Sequence, residues 1–121
     1  MEKGKSFTEL IVWQKAHALT LKIYEITQVF PREEMFGITS QIRRASVSVA
    51  ANIADGYKRK SSNDKARFFN ISEGSLDETK YFLILSKDLG FVEDNSALLE
   101  KSDEVAKLLY SYKNAILNSN S

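Results

Sequence analysis

The stretch between Ile38 and Lys60 constrains the fold most, because as a helix it is apolar on more than one face. With about 100° of rotation per residue, one stripe forms around Ile42 and a second stripe adjoins it. The first stripe consists of Ile38, Ile42, Ala45, Val49 and Ile53, and the second of Val47, Ala50, Ala54 and Tyr57. A helix of a simple bundle needs only one apolar face. We therefore expect this helix to lie between two packing partners, one of which is a candidate second copy of the chain.

Three further segments have helical periodicity. The first repeats its apolar residues at alternating spacings of four and three, which is the pattern of a bundle seam. Pro31 ends this helix and Gly90 ends the third. The sequence predicts helices over residues 9–30, 38–60, 62–89 and 95–118, and it contains no sustained alternation of the strand period. We predict an all-α fold, an up-and-down antiparallel four-helix bundle, as a single domain over residues 1–121.

Polar residues and glycines near the helix ends add local predictions. Thr8 is a candidate cap for the first helix, residues 39–40 for the second, and Ser61 for the third. Gly56 and Gly74 fall inside or near the ends of predicted helices, where glycine costs about 1 kcal/mol relative to alanine. We expect both glycines to allow close helix packing.

Composition excludes several classes of protein. The chain has no cysteine, so disulfides and thiolate metal sites are excluded. No apolar run approaches the roughly 18 residues of a membrane span, and the N-terminal segment lacks the apolar core of a secretory signal. We expect a soluble cytoplasmic protein without a membrane partner.

Catalytic and cofactor motifs are also missing. His17 is the only histidine, which excludes a multi-histidine metal site. It is also the only histidine that a catalytic triad could use, and we do not expect such a triad. Neither a P-loop nor a G-x-G-x-x-G sequence occurs. We predict no catalytic residue, no metal, no cofactor and no enzymatic activity.

Charge is unevenly distributed, although the formal net charge is only +1. Acidic residues dominate from Glu73 to Glu104, whereas the middle of the chain is basic. Lysine and arginine bind phosphates electrostatically, and a tyrosine such as Tyr57 can stack on a base. An ordinary solvated loop would have the same composition. The candidate nucleic-acid-binding residues are Arg43, Arg44, Lys58, Arg59, Lys60, Lys65 and Arg67.

Polar residues at helical spacing form a second candidate group. Arg44, Ser48, Asn52 and Asp55 share one side of the second predicted helix. If partly buried, they would form a hydrogen-bonded network with third-helix residues. We expect this network to fix the register of the helices rather than to catalyse a reaction. Its predicted members are Arg44, Ser48, Asn52, Asp55, Glu73 and Ser75.

Several motifs carry a resemblance to a known family. They are F-x-x-L-x-V-W-Q-x-A at 7–16, FP at 30–31, FGITSQIRRASVSV at 36–49, ANIADG at 51–56 and EGSLDE at 73–78. Together they resemble the four-helix bundle family named for proteins encoded in intervening sequences of bacterial 23S ribosomal RNA genes. The chain is also similar to the accessory variability determinants of diversity-generating retroelements.

The resemblance implies a homopentamer without enzymatic activity. The accessory variability determinants are basic pentamers that bind nucleic acid and a reverse transcriptase, which implies RNA or DNA as a partner. We therefore expect a homopentameric bundle that binds RNA or DNA through its basic residues with little sequence specificity. The alternative is a protein-interaction scaffold with a protein partner and no nucleic-acid role.

Overall fold

Four α-helices dominate the computed structural model, which describes residues 6–119. They are α1 (Ile11–Thr27), α2 (Ile38–Lys58), α3 (Ser62–Asp88) and α4 (Ser96–Ser119). No strand occurs in this described part of the chain. The short connections make successive helices antiparallel, α1 packs against both α2 and α4, and the most extensive packing joins α2 to α3. The predicted all-α, up-and-down four-helix bundle is confirmed. Among residues 6–119, no helix is long and apolar enough to cross a membrane.

The core is made of the apolar stripes that periodicity indicates. In α1 and α2 the buried stripe residues are Val12, Ala16, Leu19, Ile23, Ile38, Ile42, Ala45, Val49 and Ile53. The largest buried apolar residues of α3 and α4 are Phe69, Leu76, Phe82, Leu83, Leu98, Val105 and Leu109. Full burial of a side chain of leucine size contributes about 1.5–3 kcal/mol to folding. This shared core fixes the four helices relative to one another.

The second apolar stripe of α2 is only partly covered by the rest of the chain. Ala50 is buried, Ala54 and Tyr57 are half-buried, and Val47 remains 43% exposed. The chain therefore buries the first apolar stripe of α2 completely and the second stripe only in part.

Small residues allow α2 and α3 to approach closely. The Ser72 hydroxyl donates a hydrogen bond to the Val49 carbonyl oxygen at 2.7 Å, and an alanine Cβ at Gly56 would lie 2.5 Å from the Phe69 ring. Gly74 is exposed, and an alanine Cβ at this position would have no atom within 4 Å. The expectation of close packing is therefore confirmed for Gly56 and wrong for Gly74, which lies on the outer side of α3.

Helix α1 is shorter than the predicted 9–30 at both ends. The Thr8 N–H donates to the Ser6 hydroxyl in a separate 3-10 turn, Phe7–Glu9, and α1 begins after extended Leu10. The assignment of Thr8 as the cap is therefore wrong. At the other end, α1 stops at Thr27 and residues 28–30 form a turn. Pro31 disfavours the helical conformation at Phe30, so the helix cannot continue through this link.

The other helix ends give one correction and two confirmations. Residues 39–40 do not cap α2, because they lie within its first turn; the Ile38 N–H instead donates to the Glu34 carboxylate at 3.3 Å. The Ser61 hydroxyl accepts the Asp64 N–H at 3.1 Å, as predicted for α3. Gly90, with φ of 82°, follows the end of α3 in the left-handed conformation that glycine favours.

Candidate nucleic-acid interface

Five of the seven predicted basic residues surround the turn between α2 and α3. We call this set the basic turn: Lys58, Arg59, Lys60, Lys65 and Arg67. The chain leaves α2 because the backbone of Arg59 is extended, and it enters α3 after the Ser61 cap. Lys58 and Lys60 are exposed at this turn. Their ammonium groups extend the positive surface into solvent.

Lys65 ties the start of α3 to the end of α2. Its ammonium donates to the Tyr57 carbonyl oxygen at 2.7 Å and lies 3.4 Å from the Gly56 carbonyl oxygen. The last carbonyl groups of a helix lack intrahelical partners and attract cations. Burial lowers the pKa of Lys65 from its ordinary value of 10.5. Lys65 therefore stabilises the turn and contributes positive charge at its base.

Phe68 fixes the two arginines of the basic turn. The guanidinium of Arg59 lies 4.2 Å from the Phe68 ring centroid, and that of Arg67 lies 4.7 Å from it. Arg67 also pairs with Asp64 at 3.0 Å, whereas the Arg59 Nε is buried without a hydrogen-bond partner in the described part of the chain. The contact with Phe68 holds both guanidinium groups in place without neutralising them. Asp64 partly neutralises Arg67, whereas Arg59 has no acidic partner in the described part of the chain. The two terminal nitrogens of a fixed guanidinium can donate two parallel hydrogen bonds to a phosphate, and in Arg59 these nitrogens have no hydrogen-bond partner in the described part of the chain.

Tyr57 lies in an aromatic cluster below the turn. Its ring is half-buried, and the Lys65 ammonium lies 5.6 Å from the ring centroid. Burial and the neighbouring Tyr57 raise the pKa of Tyr112, whose ring packs 5.3 Å from that of Phe69. Part of the Tyr57 ring surface is therefore already covered, which reduces the area on which a base would stack.

Arg43 and Arg44 lie away from the basic turn. They precede Lys58, the first residue of the basic turn, by at least 14 residues on α2, which corresponds to about 21 Å at 1.5 Å per residue. The Arg43 Nε donates to the Thr27 hydroxyl at 2.8 Å, and its guanidinium lies 4.6 Å from the Tyr24 ring centroid. The seven predicted residues therefore form two separate groups within one chain.

Three members of the predicted polar network are in contact. The Asn52 amide donates to the Ser48 hydroxyl at 3.0 Å, and the Ser48 and Ser75 hydroxyls lie 2.8 Å apart. This chain of hydrogen bonds links α2 to α3.

The other predicted members lie outside this chain of hydrogen bonds. In the described residues, Arg44 and Asp55 make no hydrogen bond to it, although Arg44 lines a groove with Ser48 and Ser75. Glu73 binds Lys113 of α4 at 2.8 Å instead, because its position is about 200° around α3 from that of Ser75. The prediction that Glu73 joins the network is therefore wrong, since that side of α3 faces α4.

The two ends of the bundle differ in charge. The basic turn lies at one end, whereas the α1–α2 link and the α3–α4 turn lie at the other, since successive helices are antiparallel. The second end carries Arg32 and Lys87 together with five acidic residues, Glu33, Glu34, Asp88, Glu93 and Asp94. Asp55 and Asp64 lie near the basic turn, whose five basic residues still outnumber them. The small net charge of the chain is therefore the sum of a basic end and an acidic end.

Neither the single histidine nor the acidic residues form an alternative site. His17 is exposed, and its ring stacks on Trp13 at a centroid distance of 4.9 Å. Among residues 6–119, no group of three or more histidine, aspartate or glutamate side chains is placed to hold a metal ion. The basic turn is therefore the candidate site that the geometry favours.

Two features of the surface have little or no signal in the sequence: the role of Phe68 and the exposed region around Phe36. Helical periodicity puts Phe68 on an apolar stripe of the third helix, but no sequence spacing indicates that residues from both sides of a turn meet on its ring. Phe36 lies in the link between α1 and α2 and is 94% exposed. The sequence signal for this exposed region is that Phe36 is a large apolar residue outside every predicted helical stripe.

Comparisons with known proteins agree on one family. The family model described as 23S rRNA-intervening sequence protein matches residues 8–111. A crystal structure from Bacteroides thetaiotaomicron, described as a protein of unknown function from the S23 ribosomal protein family, is 26% identical with a TM-score of 0.76. The match covers 85% of this chain and 98% of that chain. The search of curated proteins found no match. The similarity to the accessory variability determinants is not tested by these matches and stays a prediction.

Proposed function

We propose that this chain, which belongs to the 23S rRNA-intervening sequence protein family, is a non-enzymatic protein that binds RNA or DNA. One observation carries the proposal: the basic turn gathers five cationic side chains at one end of the bundle, and Phe68 holds two of their guanidinium groups. Acidic residues dominate the opposite end, so the field of the protein orients a polyanion toward the basic turn.

Binding through the basic turn has little sequence specificity. Its cationic groups suit phosphate oxygens, and phosphate contacts position a protein on nucleic acid without reading the base sequence. Each phosphate that is neutralised releases counterions, so the affinity falls as salt rises. The half-buried Tyr57 ring adds at most a limited stacking contact.

Assembly as a homopentamer would strengthen this weak contact. Five copies present five basic turns to one nucleic acid, and linked contacts raise avidity without a new type of contact. The incompletely covered second stripe of α2 supports self-assembly. Light scattering at micromolar concentration should give five times the chain mass of 13.7 kDa, and a monomer mass would refute the assembly.

A matched pair of double variants tests the binding site. The variant Lys58→Ala/Lys60→Ala removes two exposed charges from the basic turn, and Lys87→Ala/Lys101→Ala removes two exposed lysines from the bundle outside it. We expect the first variant to bind a labelled RNA more weakly and with a flatter salt dependence, and the second to bind like the wild type. Equal losses in both variants would show an effect of net charge alone and would refute the assignment of the site.

Nuclease treatment of a pull-down distinguishes the alternative function, a protein-interaction scaffold, from nucleic-acid binding. A protein partner that is retained after the nucleic acid has been digested would support the scaffold. Loss of every partner on digestion would count against it and would favour nucleic-acid binding.

A further inference from the structure

An exposed apolar groove runs along α2 on the side of α1. The walls of this α1–α2 groove include Tyr24 of α1, Met35 and Phe36 of the link, and Val47 of α2. The Phe36 side chain is 94% exposed, and the groove has a volume of about 660 Å³. The largest exposed apolar patch of a soluble protein is often an interaction site.

The α1–α2 groove is basic as well as apolar. Arg43 and Arg44 line it, and its lining contains no acidic residue. Its α2 wall presents Ser40, Arg44, Val47 and Ala51, at spacings of four, three and four. This is the repeat with which one helix packs along another.

A matching surface lies on the outer side of α3. Asp77, Tyr81, Ile84 and Asp88 recur at the same spacings of four, three and four, and all four are exposed. Tyr81 is 55% exposed and Ile84 is 47% exposed. We call this set the α3 ridge; it combines two apolar and two acidic side chains, and the exposed Lys87 lies beside it.

We propose that the α3 ridge of one copy of this chain packs into the α1–α2 groove of a second copy. Both surfaces extend over 11 residues of helix, about 16 Å at 1.5 Å per residue. In an antiparallel alignment Asp88 lies opposite Ser40, one helical turn from Arg44, and Ile84 and Tyr81 lie against Arg44 and Val47. The ridge therefore brings negative charge to the positively charged groove, and the apolar side chains of the two surfaces cover one another. The equal spacing allows the two helices to pack as in a bundle seam.

The contact is head-to-tail, because each copy carries one groove and one ridge on different helices. Repetition of such a contact produces a closed ring or an open filament. The inference rests on the proposed self-assembly, but not on nucleic-acid binding. In the assembly Arg43 and Arg44 are covered, so the basic turn alone remains for nucleic acid.

Two single variants at exposed helix positions test the contact. Val47→Glu places a carboxylate in the groove, opposite the acidic ridge, and Ile84→Lys places an ammonium on the ridge, opposite the arginines. We expect light scattering to give a monomer mass for both variants, whereas the wild type assembles. The helical circular dichroism of both variants should remain that of the wild type. Ile11→Glu is the control, since Ile11 is exposed on α1 outside both surfaces. It should assemble like the wild type.

Mixing the two variants makes the test specific for a head-to-tail contact. Val47→Glu retains an intact ridge and Ile84→Lys retains an intact groove, so the mixture should form complexes of at least two chains. Wild-type mass in either variant alone would overturn the inference while the proposed assembly stands. A monomeric wild type would refute the assembly itself. The monomeric variants keep the basic turn, so they should still bind RNA, but more weakly than the wild type because the avidity of the assembly is lost.

Discussion

Replacing Gly56 with alanine should destabilise the bundle, whereas the same substitution at Gly74 should stabilise it. Both glycines lie inside long helices, where alanine is favoured over glycine by about 1 kcal/mol. At Gly56 the new methyl group would lie 2.5 Å from Cε1 of Phe69, a fully buried ring. Forcing extra volume into a packed core typically costs about 1–3 kcal/mol. At Gly74 the methyl group meets no atom within 4 Å.

The two substitutions share the gain in helix propensity, so the difference between their free energies of unfolding gives the steric cost at Gly56. Gly74→Ala should raise the free energy of unfolding by about 1 kcal/mol, and Gly56→Ala should fall below Gly74→Ala by about 1–3 kcal/mol. Urea denaturation of both variants at the same protein concentration measures this difference. Replacing Phe69 with leucine should reduce it, because the ring atoms that clash are removed.

Equal stability of Gly56→Ala and Gly74→Ala would refute this reasoning. It would mean that α2 and α3 separate far enough to admit the methyl group without cost. Because Gly56 precedes the basic turn by two residues, a shift of this kind would also move Lys58 and Arg59. The circular dichroism of both variants should remain that of the wild type, which separates a change of stability from a change of fold.

Three smaller predictions concern hydrogen bonds at helix ends and between helices. Ser61→Ala should lower the free energy of unfolding by about 1 kcal/mol in urea denaturation, because it removes the side-chain cap of α3. Ser72→Ala should also cost about 1 kcal/mol, because its bond to the Val49 carbonyl crosses from α3 to α2. The Ser96 N–H lowers the pKa of Asp94 below its ordinary value of 3.8, so NMR titration should give a midpoint below 3.8. The stability that this bond contributes is present above pH 3.8 and is lost as the pH falls through the lowered pKa.

Helical periodicity was sufficient to predict the fold. The apolar repeat at spacings of four and three predicts one buried face made of Val12, Ala16, Leu19, Ile23, Ile26 and Phe30. All of these residues are buried except Ile26, which is partly buried against the core. These positions were predictable because burial of one face is repeated every turn and dominates the energy of the bundle. The ends of α1 were less predictable, since a 3-10 turn and a proline-directed turn replace its first and last residues.

The candidate site was predictable in composition but not in geometry. The sequence showed the cationic residues, yet the Phe68 contacts and the Lys65 bonds depend on how α3 folds back beside α2. The same is true of Glu73, whose partner on α4 is 40 residues away in sequence. Contacts of this range arise from packing of the whole bundle and have no local pattern.

The most direct test of the proposed function is binding of the purified protein to a labelled structured RNA and to a labelled single-stranded DNA. Fluorescence anisotropy over a salt series measures the affinity and its salt dependence. We predict that the logarithm of the association constant falls linearly with the logarithm of the salt concentration. On single strands the slope should be about −0.7 per phosphate contacted. Absence of binding to both probes at low salt would contradict the proposal and leave the protein-interaction scaffold as the better account.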